Sequence, residues 1–147
     1  MLTKNNQIIS PVAFIEKYNF SEIKSIEDFK KFDSELQANE EFAKDFKDTL
    51  EHLLGSNIKQ SIVGIIKKFL HRDFAIKCTA IKFSPNKFVL KNTCFYNSLF
   101  DLICHYHKTS EGGIVTEKIF YKSLSSCLTN AKDWDRFRKL RQPAATE

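Results

Sequence analysis

Residues 39–70 read NEEFAKDFKDTLEHLLGSNIKQSIVGIIKKFL, and the spacing of their apolar positions decides the fold class. Phe42, Phe46, Leu50, Leu53 and Leu54 recur at i, i+4, i+8, i+11 and i+12, which is one face of a 3.6-residue helix. Asn39 can cap that helix, and Glu40 and Glu41 suit the positive end of its dipole. Gly55 is expected to end it in the left-handed conformation. A second helix is expected from Ser56. Ile58, Ile62, Ile65, Ile66, Phe69 and Leu70 form its buried side, and Lys59, Lys67 and Lys68 face out.

The same periodicity extends in both directions. Upstream, Ser25 can cap a helix with Asp28 as the reciprocal acid, and Ile26, Phe29, Phe32 and Leu36 form its stripe. Before it, Pro11 is expected to break any early helix, so residues 1–24 read as an arm that packs through Val12, Phe14, Ile15 and Phe20. Downstream, Cys78–Leu90 alternates apolar and polar residues around Ser84-Pro85-Asn86-Lys87, a turn sequence, so a short hairpin or irregular loop is expected there. A helix from about Cys94 to His107 carries Leu99, Leu102, Ile103 and Tyr106, and Gly112-Gly113 breaks it. Thr116 can cap the last and longest helix, lined by Phe120, Leu124, Cys127, Leu128 and Ala131 and stopped by Pro143. The expected architecture is mainly α: a bundle of about five or six helices over residues 25–141, with an arm at 1–24 and a tail at 142–147.

Composition narrows the class. The chain has 147 residues with 14 Phe, one Met and one Trp, which suits one domain with a real core. No apolar run approaches the ~20 residues of a membrane helix, and the N-terminus lacks the apolar stretch of a signal peptide. A nuclear or cytoplasmic, non-secreted protein is expected. Cys78, Cys94, Cys104 and Cys127 are widely spaced and read as free thiols, with Cys78 and Cys127 buried.

Charge is unevenly spread. Residues 21–54 carry a net −5, residues 55–91 a net +7 and residues 118–141 a net +5. Two readings follow: a polyanion partner, or an acidic element docked on a basic one inside the fold.

Catalytic and metal signatures are missing. His71-Arg72-Asp73 opens like a kinase catalytic loop, but that loop needs Asn five residues after the Asp, and position 78 is Cys. The bland reading places the tripeptide at a helix end, where cations meet the last carbonyls. Cys104-His105-Tyr106-His107 lacks the paired spacing of zinc ligands, and its two histidines diverge on a helix, so it reads as a helix-end surface pair. No nucleophile elbow or phosphate-cradling loop exists. No enzyme activity, cofactor, metal or small-molecule substrate is expected.

The functional lead is the basic end AKDWDRFRKLRQ. Lys132, Arg136, Arg138, Lys139 and Arg141 mix with Trp134 and Phe137, a pattern that can pair with phosphates. Lys82, Lys87 and Lys91 add a second patch. The same residues also fit a solvated helix end plus a core tryptophan.

Three stretches resemble the uncharacterised invertebrate family catalogued as domain of unknown function 4806. They are SIEDFKKFDSELQANEEFAKDFKDTLEHLLG, IKQSIVGIIKKFLHRDFA and TEKIFYKSLSSCLTNAKDW. The chain departs from the family where a Trp and a Gly are usual in the middle loop and FSPNKFVLKN stands here. It departs again where Trp134 replaces the Arg after Ala-Lys-Asp. The second half is similar in element order to BEN domains, small helical modules that bind DNA or proteins in chromatin factors. This resemblance implies a non-enzymatic binding module acting on nucleic acid or chromatin. The alternative is a protein-interaction or self-association domain, possible as a homodimer, that does not bind DNA.

Overall fold

In the computed structural model, which describes residues 9–109 and 112–134, the chain is mainly helical. The helices are α1 (Pro11–Tyr18), α2 (Ile26–Ala38), α3 (Glu40–His52), α4 (Ile58–Phe69), α5 (Arg72–Ala75), α6 (Cys94–Tyr106) and α7 (Glu117–Thr129). A 3-10 turn over Asn130–Asp133 follows α7, and two-residue strands β1 (Cys78–Thr79) and β2 (Phe88–Val89) lie between α5 and α6.

Helix starts follow the cap residues. Ser25, Asn39, Thr93 and Thr116 each accept a bond from the backbone N–H three residues on. The start of α4 lies at Asn57 rather than Ser56: Asn57 Oδ1 accepts from the Gln60 N–H at 2.8 Å, while Gln60 Oε1 accepts from the Ser56 N–H. Two orphan donors are satisfied reciprocally.

Pro11 does not break an early helix; it begins one. At the first helical position its missing N–H is one that no carbonyl would have served, and Ser10 Oγ accepts from the Ala13 N–H. Asn19 ends α1 with φ 50°. The described part of the expected arm therefore holds a helix, Pro11–Tyr18, whose Phe14 is 1% exposed and belongs to the core.

Gly55 likewise differs from expectation. It lacks a left-handed φ, and α3 already ends at His52. Close approach explains the glycine, because a Cβ there would lie 2.7 Å from Gln60 Cβ.

The core is aromatic. Phe69, at the end of α4, meets the rings of Phe14, Phe20, Phe32, Phe46 and Phe95 at centroid distances of 5.1–6.4 Å. Most of these pairs are tilted or edge-on, the arrangements that aromatic quadrupoles favour. One ring thus joins α1, α2, α3 and α6 around α4. Asp33 adds a polar tie between α2 and α6, its carboxylate accepting from the N–H groups of Cys94 and Phe95 at 3.0 and 2.8 Å.

Residues 78–90 do not form a hairpin. Cys78 pairs with Phe88 and Thr79 with Val89 in parallel. The Ser84–Lys87 turn does form, with the Lys87 N–H donating to the Ser84 carbonyl. The intervening chain loops back, so β2 enters beside β1 in the same direction. That course is set by packing, since Phe88 meets Phe29 and Phe74.

The last helix is described only in its first part. α7 has 13 residues, as do α2, α3 and α6, and its winding tightens to 3-10 at Asn130. The expected continuation toward Pro143 and the tail lie outside the described residues. All four cysteines are free, with Cys78 and Cys127 buried as expected. Among the described residues, no helix is long and apolar enough to cross a membrane.

Candidate nucleic-acid interface

α7 buries Phe120, Leu124, Cys127 and Leu128, with Ala131 of the 3-10 turn completing the stripe. That seating leaves two polar flanks. On one side Lys122, Ser126 and Asn130 recur at i+4 and face α4, whose Lys59 and Lys67 are likewise spaced along one stripe. A cleft of about 580 Å³ runs between them. On the other side Ser125, Thr129 and Lys132 face β1 and the loop after it, and a second cleft of about 570 Å³ opens there, lined also by Lys82 and Lys87.

The fold thus joins residues that the sequence separates widely. Lys132 meets Lys82 and Lys87 across one cleft. Lys59, Lys67 and Lys122 occupy the other, where Asp133 is the single carboxylate in the lining. All six lysines are exposed. Among the described residues, none of them makes an ion pair. Lys67 Nζ lies 5.5 Å from the centroid of the Trp134 ring, within cation–π range. Trp134 itself is half-buried at the edge of the core.

Lys91 does not join these clefts. Its Nζ lies 3.7 Å from Glu117 Oε2, and the same carboxylate oxygen accepts from the Tyr96 hydroxyl at 2.9 Å. A charge paired with a carboxylate at the start of α7 is a poorer phosphate ligand than an unpaired one. Arg136, Arg138, Lys139 and Arg141 lie outside the described residues.

Arg72 explains the His-Arg-Asp tripeptide. These residues do not close α4 but open α5: His71 Nδ1 accepts from the Asp73 N–H at 3.0 Å. The Arg72 guanidinium donates to the Lys132 carbonyl from Nε and Nη2, at 3.2 and 2.9 Å. It thereby holds the 3-10 turn that carries Lys132. Lys87 is anchored similarly, its Nζ donating to the Ile76 carbonyl at 2.7 Å, which leaves two of its three N–H donors for a ligand.

The thiols beside the clefts are not poised as nucleophiles. Burial pushes the Cys78 thiol up to about 12 and the Cys127 thiol up to about 11, against the opposing influence of Lys87 and Lys67 respectively. A protonated thiol is a weak nucleophile. The histidine motif is no surface pair either: His107 Nε2 lies 2.8 Å from Ser61 Oγ. Ser61 is 0% exposed and also accepts from the Gly55 N–H at 2.8 Å. Among the described residues, no group of three His, Cys, Asp or Glu is placed to hold a metal ion.

The acidic hairpin α2–α3 makes no ion pair to the cleft lysines among the described residues. Among the described residues its ion pairs to another element go to Lys17 of α1, from Glu41 and Asp45. Lys59, Lys67 and Lys122 are absent from the expected site because each looks like an ordinary solvated helix charge. The available signal was the matching i, i+4, i+8 spacing of Lys59-Val63-Lys67 and Lys122-Ser126-Asn130, but only the packing of α4 on α7 makes those stripes face each other. No family model, curated protein or solved structure matches this chain.

Proposed function

We propose that this protein is a non-enzymatic nucleic-acid-binding module that grips the phosphate backbone with both flanks of α7, acting in the nucleus or cytoplasm. One observation carries the reading: six unpaired or partly paired lysines, drawn from α4, the 80–87 loop, α7 and the 3-10 turn, converge on two clefts along one helix. A polyanion gains from every ammonium it meets and from the counterions it releases. In sequence, Arg136, Arg138, Lys139 and Arg141 follow Trp134 closely and extend the cationic run. The acidic helices carry the opposite charge on separate elements, which would repel a polyanion from the remaining surface and orient its approach.

Fluorescence anisotropy with unrelated DNA duplexes tests this. Engagement of six phosphates predicts an affinity loss of about 10³-fold between roughly 50 and 200 mM salt. Replacing Lys82 and Lys132 with Ala should weaken binding equally for all duplexes and flatten the logarithmic salt slope by about 0.9 per lost contact. An Arg136→Ala, Lys139→Ala pair should act in the same direction. Failure to bind any nucleic acid at low salt would overturn the proposal. A salt-resistant dimer by light scattering would then point to self-association instead.

A further inference from the structure

Phe83 is 79% exposed, and no other phenylalanine among the described residues is exposed. In a chain that places its rings in one aromatic core, this ring forgoes the stabilisation that burial would bring. Nor does it sit on a loose tip. Thr79 Oγ1 donates to the Lys82 carbonyl at 2.6 Å. The Lys87 N–H donates to the Ser84 carbonyl, and Lys87 Nζ to the Ile76 carbonyl. The loop is therefore pinned on both sides of Phe83. Lys82 and Lys87 flank the ring in sequence and line the cleft completed by Lys132.

An exposed flat apolar ring, next in the chain to a lysine that lines a cationic cleft, fits a ligand with a flat, weakly polar face joined to anionic groups. An unpaired nucleobase next to its phosphates has this chemistry. Duplex DNA hides its base faces in the stack and offers the ring nothing, whereas a single strand presents them. Resting on the nucleic-acid reading above, we infer that the preferred ligand is single-stranded. Phe83 stacks on an unpaired base, and Lys82, Lys87 and Lys132 hold the adjoining phosphates.

The test uses the full chain with a fluorescein-labelled oligothymidylate and a duplex of the same length, plus vesicles of anionic phospholipid. Phe83→Ala should weaken single-strand binding by roughly five- to 150-fold. The salt slope and the duplex affinity should stay unchanged. Phe83→Tyr should restore binding and Phe83→Leu should not, because stacking needs a π face rather than mere apolarity. The exposed position keeps all three variants folded, which circular dichroism checks. The inference is overturned if Phe83→Ala leaves single-strand affinity intact while Lys82→Ala with Lys132→Ala weakens both ligands; the backbone reading survives that result. Equal loss for both strands, or rescue by Leu together with Phe83-dependent vesicle binding, overturns it as well. If neither strand binds at low salt, the underlying reading falls with it.

Discussion

Replacing Asp45 with Ala removes the carboxylate that ties α1 to α3. Asp45 is 8% exposed, and its Oδ2 accepts from the Tyr18 hydroxyl at 2.5 Å and from Lys17 Nζ at 2.8 Å. A hydrogen bond to a buried charged group contributes ~1.5–3 kcal/mol. The Lys17 ammonium is largely solvated, so its pairing adds only ~0.2–1 kcal/mol. Asp45→Ala should therefore destabilise the protein by about 2–4 kcal/mol, read as a lower urea midpoint with an unchanged slope. A double-mutant cycle with Tyr18→Phe should return a coupling of about 1–3 kcal/mol. Burial alone would raise the Asp45 carboxyl, but the bonds from Lys17 and Tyr18 outweigh it and hold the group below its ordinary 3.8. The unfolded chain thus binds this proton more readily than the folded one. The carboxylate's stabilisation is full above the ordinary value and fades as pH falls through the folded one. The stability gap between wild type and Asp45→Asn should hold from neutral pH down to about 5 and close in stronger acid. A coupling near zero, or a gap that persists undiminished in strong acid, would refute the idea that this carboxylate docks α1.

Two further substitutions probe ties that link distant segments. Asp33→Ala strips the start of α6 of a carboxylate that receives two backbone N–H groups; it should cost about 2–3 kcal/mol, with amide exchange at Phe95 accelerating more than at Phe69. If exchange speeds up uniformly, Asp33 is not a local cap. Gly55→Ala places a Cβ 2.7 Å from Gln60 Cβ and should lower the thermal midpoint through overpacking of about 1–3 kcal/mol. A companion Gln60→Gly change should recover part of the loss, and a neutral Gly55→Ala variant would show that the loop shifts freely.

Helix positions were legible because amphipathic spacing is a local property. The stripes Phe29-Phe32-Leu36, Phe42-Phe46-Leu50 and Phe120-Leu124-Cys127 are buried where periodicity placed them, and the expected caps Ser25, Asn39 and Thr116 each serve one donor. Local signals with two meanings misled. Pro11 bars a helix from its interior but begins one at its first turn, and only Ser10 and the docking of Phe14 decide between them. Gly55 could have been a cap or a point of close approach, and the position of Gln60 settles it. For the candidate site, Lys82, Lys87 and Lys132 were named from charge alone and do line one cleft, whereas Lys91 turned to Glu117.

By itself the sequence determined a mainly helical chain with an acidic front and a basic rear, because helix period, capping and charge are read within a few residues. Tertiary structure alone decided the parallel run of β1 and β2 and the capping of α6 by Asp33. It also decided the facing of the α4 and α7 lysine stripes and the isolation of Phe83 from the aromatic core. These depend on which helix faces which, an outcome set by packing the buried phenylalanine rings into one small core, and no spacing along the chain encodes that geometry.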